Sequence, residues 1–501
     1  MKSIFLFLGI AVTVHAQAQI SLVAKLNPHA LAGSYPHQIT VGAKLYFAAT
    51  DSAHGYEVFG YDGTNPPAMI ADLNPGTADG TVGYNYSSFT FQMGVINNSI
   101  YFAGNNGTSG LELYTYTGTG TPTLVEDIEP GTGSSNPTNF ITYNNKLYFT
   151  ATTTANGTEM YSFDGTTVSL IDINPGSNSS YPSQFTPFNG KIYFSASTTG
   201  IFDNEPFVYD PATNTASQLA QISPSTSNGS NPSCFTVLNN KLYFLANDAT
   251  HGNELYSYDG TTAPVRLTDF APGTLSGIYN LGGYNNYLLF DGAPDGVYSN
   301  SHLYKYDPAT STTTFINNIS PFGYQNAHPF TIYNNKAYFA GTDSAHGGEL
   351  WVYDGNTANI VMDLYPGSIS SFSNYALPNE IVVYNGSLYM NQLSSTSGPE
   401  LYKYNSDVSV QNIAFSGQIS AYPNPVSGDE HFSITLLKPA KLTLKISDAA
   451  GKIVSNMPIA DFPTGNSNIS IPFQRFAPGI YFYHFYDGKG VQLFAGKIVR
   501  D

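Results

Sequence analysis

The sequence predicts an all-β protein: an eight-bladed β-propeller followed by a small immunoglobulin-like β-sandwich. Three observations carry this. A Tyr-Phe pair preceded by a turn recurs along most of the chain. Most copies are followed by two further β-type runs, separated by Asp-Gly or Asp-Pro turns. After Gly417 the repeat stops, and a different pattern of short strands begins.

The first segment reads as an address. Met1-Lys2-Ser3 precedes an apolar run from Ile4 to Val14, and Ala16-Gln17-Ala18 is a small-x-small site. This is the layout of a secretory signal peptide over residues 1–18, with cleavage expected after Ala18. The run is too short to span a bilayer, and no later apolar stretch is long enough, so no transmembrane span is expected.

The repeat occupies residues 19–412. Its pairs are Tyr46-Phe47, Tyr101-Phe102, Tyr148-Phe149, Tyr193-Phe194, Tyr243-Phe244 and Tyr338-Phe339, with Leu289-Phe290 and Tyr389-Met390 as degenerate copies. Successive copies lie 55, 47, 45, 50, 46, 49 and 51 residues apart. A second element follows in most copies, such as Glu159-Met160-Tyr161, and then a turn such as Asp164-Gly165. A third ends in Asp-x-x-Pro-Gly, as at Asp72, Asp127, Asp172, Asp269 and Asp363. The third unit thus predicts strands at 140–143, 146–151, 159–163 and 168–173. Asn144-Asn145 and Asp164-Gly165 form the hairpin turns, because Asn and Gly tolerate positive φ.

Period and face decide between all-β architectures. In Leu147-Tyr148-Phe149 the side chains alternate, yet both faces are apolar or aromatic. A sheet covered on both sides by similar sheets is a propeller blade, and four strands in 40 to 50 residues is the expected size. Residues 22–26 resemble a last strand standing before the first full unit. They are expected to pair beside Glu400–Tyr404 and fasten the ring. Seven blades plus a stray hairpin is the alternative.

A linker is expected at 413–418 and a separate domain at 419–501. Strands are expected at 431–436, 440–448, 469–472, 479–486 and 491–499, a size that suits a small immunoglobulin-like sandwich. Four motifs stand in order there: Tyr422-Pro423-Asn424-Pro425, Asp448 to Lys452, Ala477-Pro478-Gly479-Ile480-Tyr481-Phe482, and Gly496-Lys497-Ile498-Val499. Together they resemble the type A C-terminal sorting domain of the bacterial type IX secretion system. The resemblance implies that type IX secretion machinery is a partner, that the domain directs passage across the outer membrane, and that the cargo is released or attached to surface lipopolysaccharide. The repeats in turn resemble the Glu-Leu-Trp-x-x-Asp-Gly-Thr type, best at Glu349-Leu350-Trp351 through Asp354-Gly355. That family is named for its sequence and implies no reaction.

Composition excludes several functions. The net charge is −17, from 18 Lys+Arg and 35 Asp+Glu. Such a surface repels phosphate backbones, so no nucleic-acid partner is expected. One cysteine, Cys234, leaves no disulfide framework and no Cys-ligated metal. Arg266 is the one arginine of the repeat region, too few for a sialidase carboxylate clamp, and the single Trp351 does not suit a quinone-dependent propeller dehydrogenase. No Gly-x-Ser-x-Gly elbow is present.

The pattern that invites chemistry is Asp-x-x-His-Gly-x-Glu, which occurs three times: Asp51/His54, Asp248/His251 and Asp343/His346. These loops are expected between second and third strands, on one end of the ring, where they could bind a divalent cation or sugar hydroxyls. A structural account competes: Asp orders a turn, Gly supplies positive φ, and Glu pairs with a neighbouring blade. The loops belong to blades one, five and seven, which are not all adjacent. The Asp-x-x-Pro-Gly aspartates likewise suit turns better than calcium. Asp51-Ser52-Ala53 and Asp343-Ser344-Ala345 also resemble the O-glycan acceptor motif of bacteria with this secretion system. The expected function is a secreted or surface-displayed binding protein for a carbohydrate or protein ligand. The alternative is a glycan hydrolase or lyase with carboxylates at the propeller mouth, which sequence does not exclude.

Overall fold

The computed structural model describes residues 19–27, 33–82, 93–199, 203–224, 229–321, 330–367, 370–372, 381–394, 397–405, 417–422, 425–426, 428–436, 439–448, 452–457, 461–487 and 492–501. Residues 1–18 with the cleavage position Ala18, most of the expected linker, and Pro423 and Asn424 lie outside them. The chain divides into two compact units, one spanning Ile20–Asn405 and the other containing Ser406–Asp501.

Among its described residues the first unit holds eight antiparallel sheets. Strand β1 (Gln19–Leu22) stands apart from the first of them. That sheet is formed by β2 (His37–Val41), β3 (Leu45–Ala49), β4 (Glu57–Tyr61) and β5 (Ala68–Met69), paired in chain order. The order recurs unit by unit. In the third sheet the strands are Thr138–Tyr143, Lys146–Thr153, Gly157–Phe163 and Val168–Ile171. The Asn144-Asn145 turn has φ of 48° and 58°, and Asn239-Asn240 and Asn334-Asn335 repeat it. Both central residues of such a hairpin need positive φ, which Asn adopts at little cost.

The eighth sheet has three strands of its own, Val382–Tyr384, Ser387–Ser394 and Ser397–Asn405, and takes β1 as its fourth. The closing strand is therefore registered a few residues earlier than its apolar pattern suggests. Val23 still donates its amide to the Leu401 carbonyl at 2.9 Å, and Val23 and Leu26 pack on the core shared by the eighth and first sheets.

Packing runs from each sheet to the next. Leu147 and Phe149 bury one face of the third sheet against Ile96 and Tyr101 of the second, while Tyr148 packs with Ile192 and Phe194 of the fourth. Burying each such ring stabilises the fold by about 1.5–3 kcal/mol. The sequence closes on itself: Phe47 and Phe59 share a core with Tyr389 and Leu401. The seventh and eighth sheets meet through the Tyr338 and Tyr404 rings, 5.6 Å apart. First strands lie against one another around this cycle, tied for example by the Thr142 hydroxyl donating to the Val95 carbonyl at 2.6 Å. The arrangement is β-propeller-like.

The second unit holds two sheets. One pairs Gly417–Tyr422, Asp429–Leu436 and Gly465–Pro472. The other pairs Ile453–Met457, Ala440–Asp448, Gly479–Asp487 and Gln492–Arg500, with Asp461–Phe462 beside Ala440. Burial alternates strictly along Asp429–Leu436, as expected for a sheet with one wet face. Both sheets feed a single core that includes Phe432, Ile434, Leu444, Phe485 and Ile498. Gly417 and Gln418, expected in the linker, pair with Leu436 and Thr435. No helix among the described residues is long and apolar enough to cross a membrane.

Candidate functional site

The Glu near the start of most third strands is buried, and its partners explain why. Glu159 accepts from the Ile173 amide at 2.9 Å, the Ser180 amide at 2.8 Å and the Ser180 hydroxyl at 2.6 Å. Ile173 belongs to the Asp-x-x-Pro-Gly connection, and Ser180 leads into the next sheet. Glu112 does the same with Ile128 and Ser135, Glu205 with Ile222 and Ser230, and Glu349 with Leu364 and Ser371. Glu400 accepts from the Ser34 hydroxyl and so latches the eighth sheet to the segment entering the first. Each carboxylate replaces lost water with charge-assisted hydrogen bonds. Burial still dominates the protonation equilibrium: it raises the Glu57 and Glu349 carboxyls to about 7, and raises Glu112, Glu159, Glu205, Glu254 and Glu400 as well.

These serines are functional residues that sequence reasoning missed. Their signal was a Ser 21 to 25 residues after the Glu in four units. It is blurred by unequal connections and neighbouring serines. The sixth sheet departs from the rule. His302 occupies the position facing Gly292 that Glu holds elsewhere, and the carboxylate has moved to Asp291 on the second strand. Asp291 is fully buried beside Asn280 and Ser301, and burial lifts its carboxyl to about 8.

The three Asp-His loops fall between second and third strands, on the same end of their sheets as the Glu latches. Each is closed on itself. Asp51 accepts from the backbone amides of Ala53 and His54 at 2.9 Å, and its carboxylate lies 2.9 Å from His54 Nδ1. Asp248–His251 and Asp343–His346 repeat the contact at 2.8 Å. The hydrogen bond that each ring donates to its Asp carboxylate raises the pKa of His54 and of His346. The structure thus brings each His to its own Asp. Among the described residues no three His, Cys, Asp or Glu side chains are grouped to hold a metal ion. Ser52 and Ser344 are exposed on two of these loops. Cys234 is buried at φ 53°, and burial pushes its thiol up to about 12.

In the second unit the motif residues serve its two edges and its core. Tyr422 is exposed at the end of its strand, beside His431, and Pro425 is exposed. Gly479 opens its strand at φ 153° opposite Arg500. Tyr481 is buried against Phe473, with its hydroxyl donating to the Ala477 carbonyl at 2.8 Å. Gly496 lies opposite Tyr483, and the adjacent Lys497 is exposed. Residues 420–499 match the secretion system C-terminal sorting domain. The sorting domain makes this an exported protein, destined for the cell surface or the medium.

No curated protein matches the chain. Solved structures similar to it include PorZ, a surface component of the type-IX secretion system of Porphyromonas gingivalis. That match has 13% identity and a TM-score of 0.44, over 92% of this chain and 68% of PorZ. A puromycin-hydrolyzing peptidase of Mycobacterium tuberculosis matches at 10% identity and a TM-score of 0.45, over 82% of this chain and 59% of the peptidase. The β-propeller domain of the Trilobed protease from Pyrococcus furiosus matches at 10% identity and 0.38, over 64% and 96%.

Proposed function

We propose that the chain is a cell-surface or secreted, non-enzymatic binding protein. In this reading its eight sheets are the blades of one propeller of Glu-Leu-Trp-x-x-Asp-Gly-Thr-type repeats. The sorting domain is immunoglobulin-like and engages the type IX secretion machinery. The ligand is a carbohydrate or a protein, and the exported chain is released or attached to surface lipopolysaccharide. The observation that carries this reading is the use made of the repeated carboxylates. Glu112, Glu159, Glu205 and Glu349 are buried and spent on backbone amides and serine hydroxyls. Glycoside hydrolysis asks for two acids about 5 to 9.5 Å apart that reach the substrate, and the latched acids face the connections instead. A rigid ring that presents loops at its ends is a scaffold for binding. The test is a glycan array probed with the mature chain, run beside an assay of reducing-sugar release from the same polysaccharides. Binding without release supports the reading. Release would replace it with the hydrolase or lyase.

A further inference from the structure

The outer edge of the sixth sheet differs from its counterparts. Its fourth strand, Thr312–Asn317, has six residues, where the outer strands of the other sheets have two to five. The sheet ends there: among the described residues no strand pairs with its outer side. From Thr310 to Ser320 the chain carries neither a charged residue nor a proline. Thr312, Thr313, Thr314 and Phe315 are all exposed and pair in unbroken register with Asp307, Tyr306, Lys305 and Tyr304, the irregularity lying beyond them. A row of aromatic rings crosses this sheet, with Phe290 stacked on Tyr304 at 5.5 Å and Tyr304 meeting Phe315 at 5.4 Å. The row ends on Phe315, which is 48% exposed. The residues paired to third strands at the same place in other sheets are Met69, Leu124, Leu170, Gln218, Arg266 and Ile360. Of these, Leu124 is also an exposed large hydrophobic, and Pro122 and Glu126 guard its strand.

An edge strand presents a row of unpaired N–H and C=O groups, and proteins guard such edges with short strands, charge, proline or bulges. Thr312–Phe315 has none of these guards. What fits an open edge is another strand, added through main-chain hydrogen bonds. Charge selects which strand. The chain carries −17, so two copies repel over most of their surface, and an uncharged segment is where they approach at least cost. A Thr-rich strand also complements itself in an antiparallel pair, where Thr opposes Thr. We infer that Thr312–Asn317 pairs with the same strand of a second copy, giving a two-fold dimer in which the two sixth sheets become one continuous sheet. The pairing covers Phe315 and continues its aromatic row into the partner. It is independent of the ligand-binding reading and needs no ligand.

The test is sedimentation velocity of the mature chain at neutral pH from about 10 µM to about 500 µM, beside amide exchange of residues 312–317. The parent should move from monomer toward dimer across this range, and exchange at 312–317 should slow as the dimer forms. Added salt should strengthen the association, because it screens the repulsion between two negative chains. Phe315→Gln, which gives the sixth sheet the residue that the fourth has at Gln218, should weaken the dimer about tenfold or more, and so should Thr314→Glu, which sets like charges on both copies at the shared edge. Ser217→Glu adds the same charge at the equivalent position of the fourth sheet and should leave association unchanged. All three side chains are exposed, so circular dichroism of the variants should match the parent. A parent that stays monomeric at the highest concentration, or a dimer that Thr314→Glu and Phe315→Gln leave intact, would overturn the inference. Slow exchange at 312–317 that does not vary with concentration would assign the edge to another segment of the same chain and overturn it too.

Discussion

At the scale of single residues, legibility followed geometry. Tyr148 and Phe149 announced a sheet covered on both faces because both positions are apolar or aromatic in every unit, and both are buried in each. Cys234 is a free, buried thiol. Gly496 shows what a motif conceals. It stood out as part of Gly496-Lys497, but its reason lies across the sheet. A Cβ there would sit 2.3 Å from the Tyr483 ring, which is buried with its centroid 4.9 Å from that of the Phe432 ring. The glycine is a seat for a tyrosine, and the seat is visible only once strands Gly479–Asp487 and Gln492–Arg500 are paired. Gly496→Ala should cost about 1–3 kcal/mol, the usual penalty of an overpacked core. Lys497→Ala, on an exposed side chain, should cost almost nothing. Amide exchange of residues 429–436 and 479–487 reads both. Equal protection in the two variants would show that the ring yields.

At the scale of elements, the hairpins were the most legible part, because Asn-Asn and Asp-Gly state their own backbone angles. Connections were less so. Glu was expected to pair with a neighbouring blade, and its partners proved to be backbone amides together with Ser135, Ser180, Ser230 and Ser371. Amides carry no sequence signal, and a serine among serines carries little. The latches make stability depend on pH, with a definite sign. Glu57 and Glu349 have folded values near 7 against an ordinary 4.5. The folded chain therefore holds protons that the unfolded chain has released. The resulting stabilisation is complete below about pH 4.5 and is lost as pH rises through 7. The raised His54 and His346 act in the same direction. Aspartates held low, such as Asp51 and Asp343, act oppositely, but only as pH falls below their ordinary value of 3.8. The thermal midpoint should thus fall between pH 5.5 and 8.5. Glu349→Gln should be less stable than the parent at pH 5.5, because the amide accepts fewer hydrogen bonds, and should show a shallower slope. A parallel slope would place the titration elsewhere.

At the scale of the whole molecule, the chain divides into a unit ending at Asn405 and one containing Ser406–Asp501, while the sequence puts its change of periodicity near residue 417. The candidate site was less legible than the domains. Motif spacing put the three Asp-His loops between second and third strands, and each proves to be closed by its own Asp–His contact. The division carries the last prediction. The sorting domain buries its own core, including Phe432, Leu444, Phe485 and Ile498, and the repeat unit closes its cycle with β1 rather than with any strand beyond Asn405. Among the described residues no sheet pairs a strand of Ile20–Asn405 with one of Ser406–Asp501. Truncation before Ile419 should therefore leave the repeat unit folded, with the thermal midpoint of the parent's repeat unit. The expected signal peptide delivers such a chain only as far as the periplasm, so it should accumulate there while the full chain reaches the surface or the medium. Fractionation with a periplasmic marker separates the outcomes. A truncated chain that unfolds would show the units to be energetically joined. A folded truncated chain found outside intact cells at the parent's level would remove the sorting role from residues 419–501.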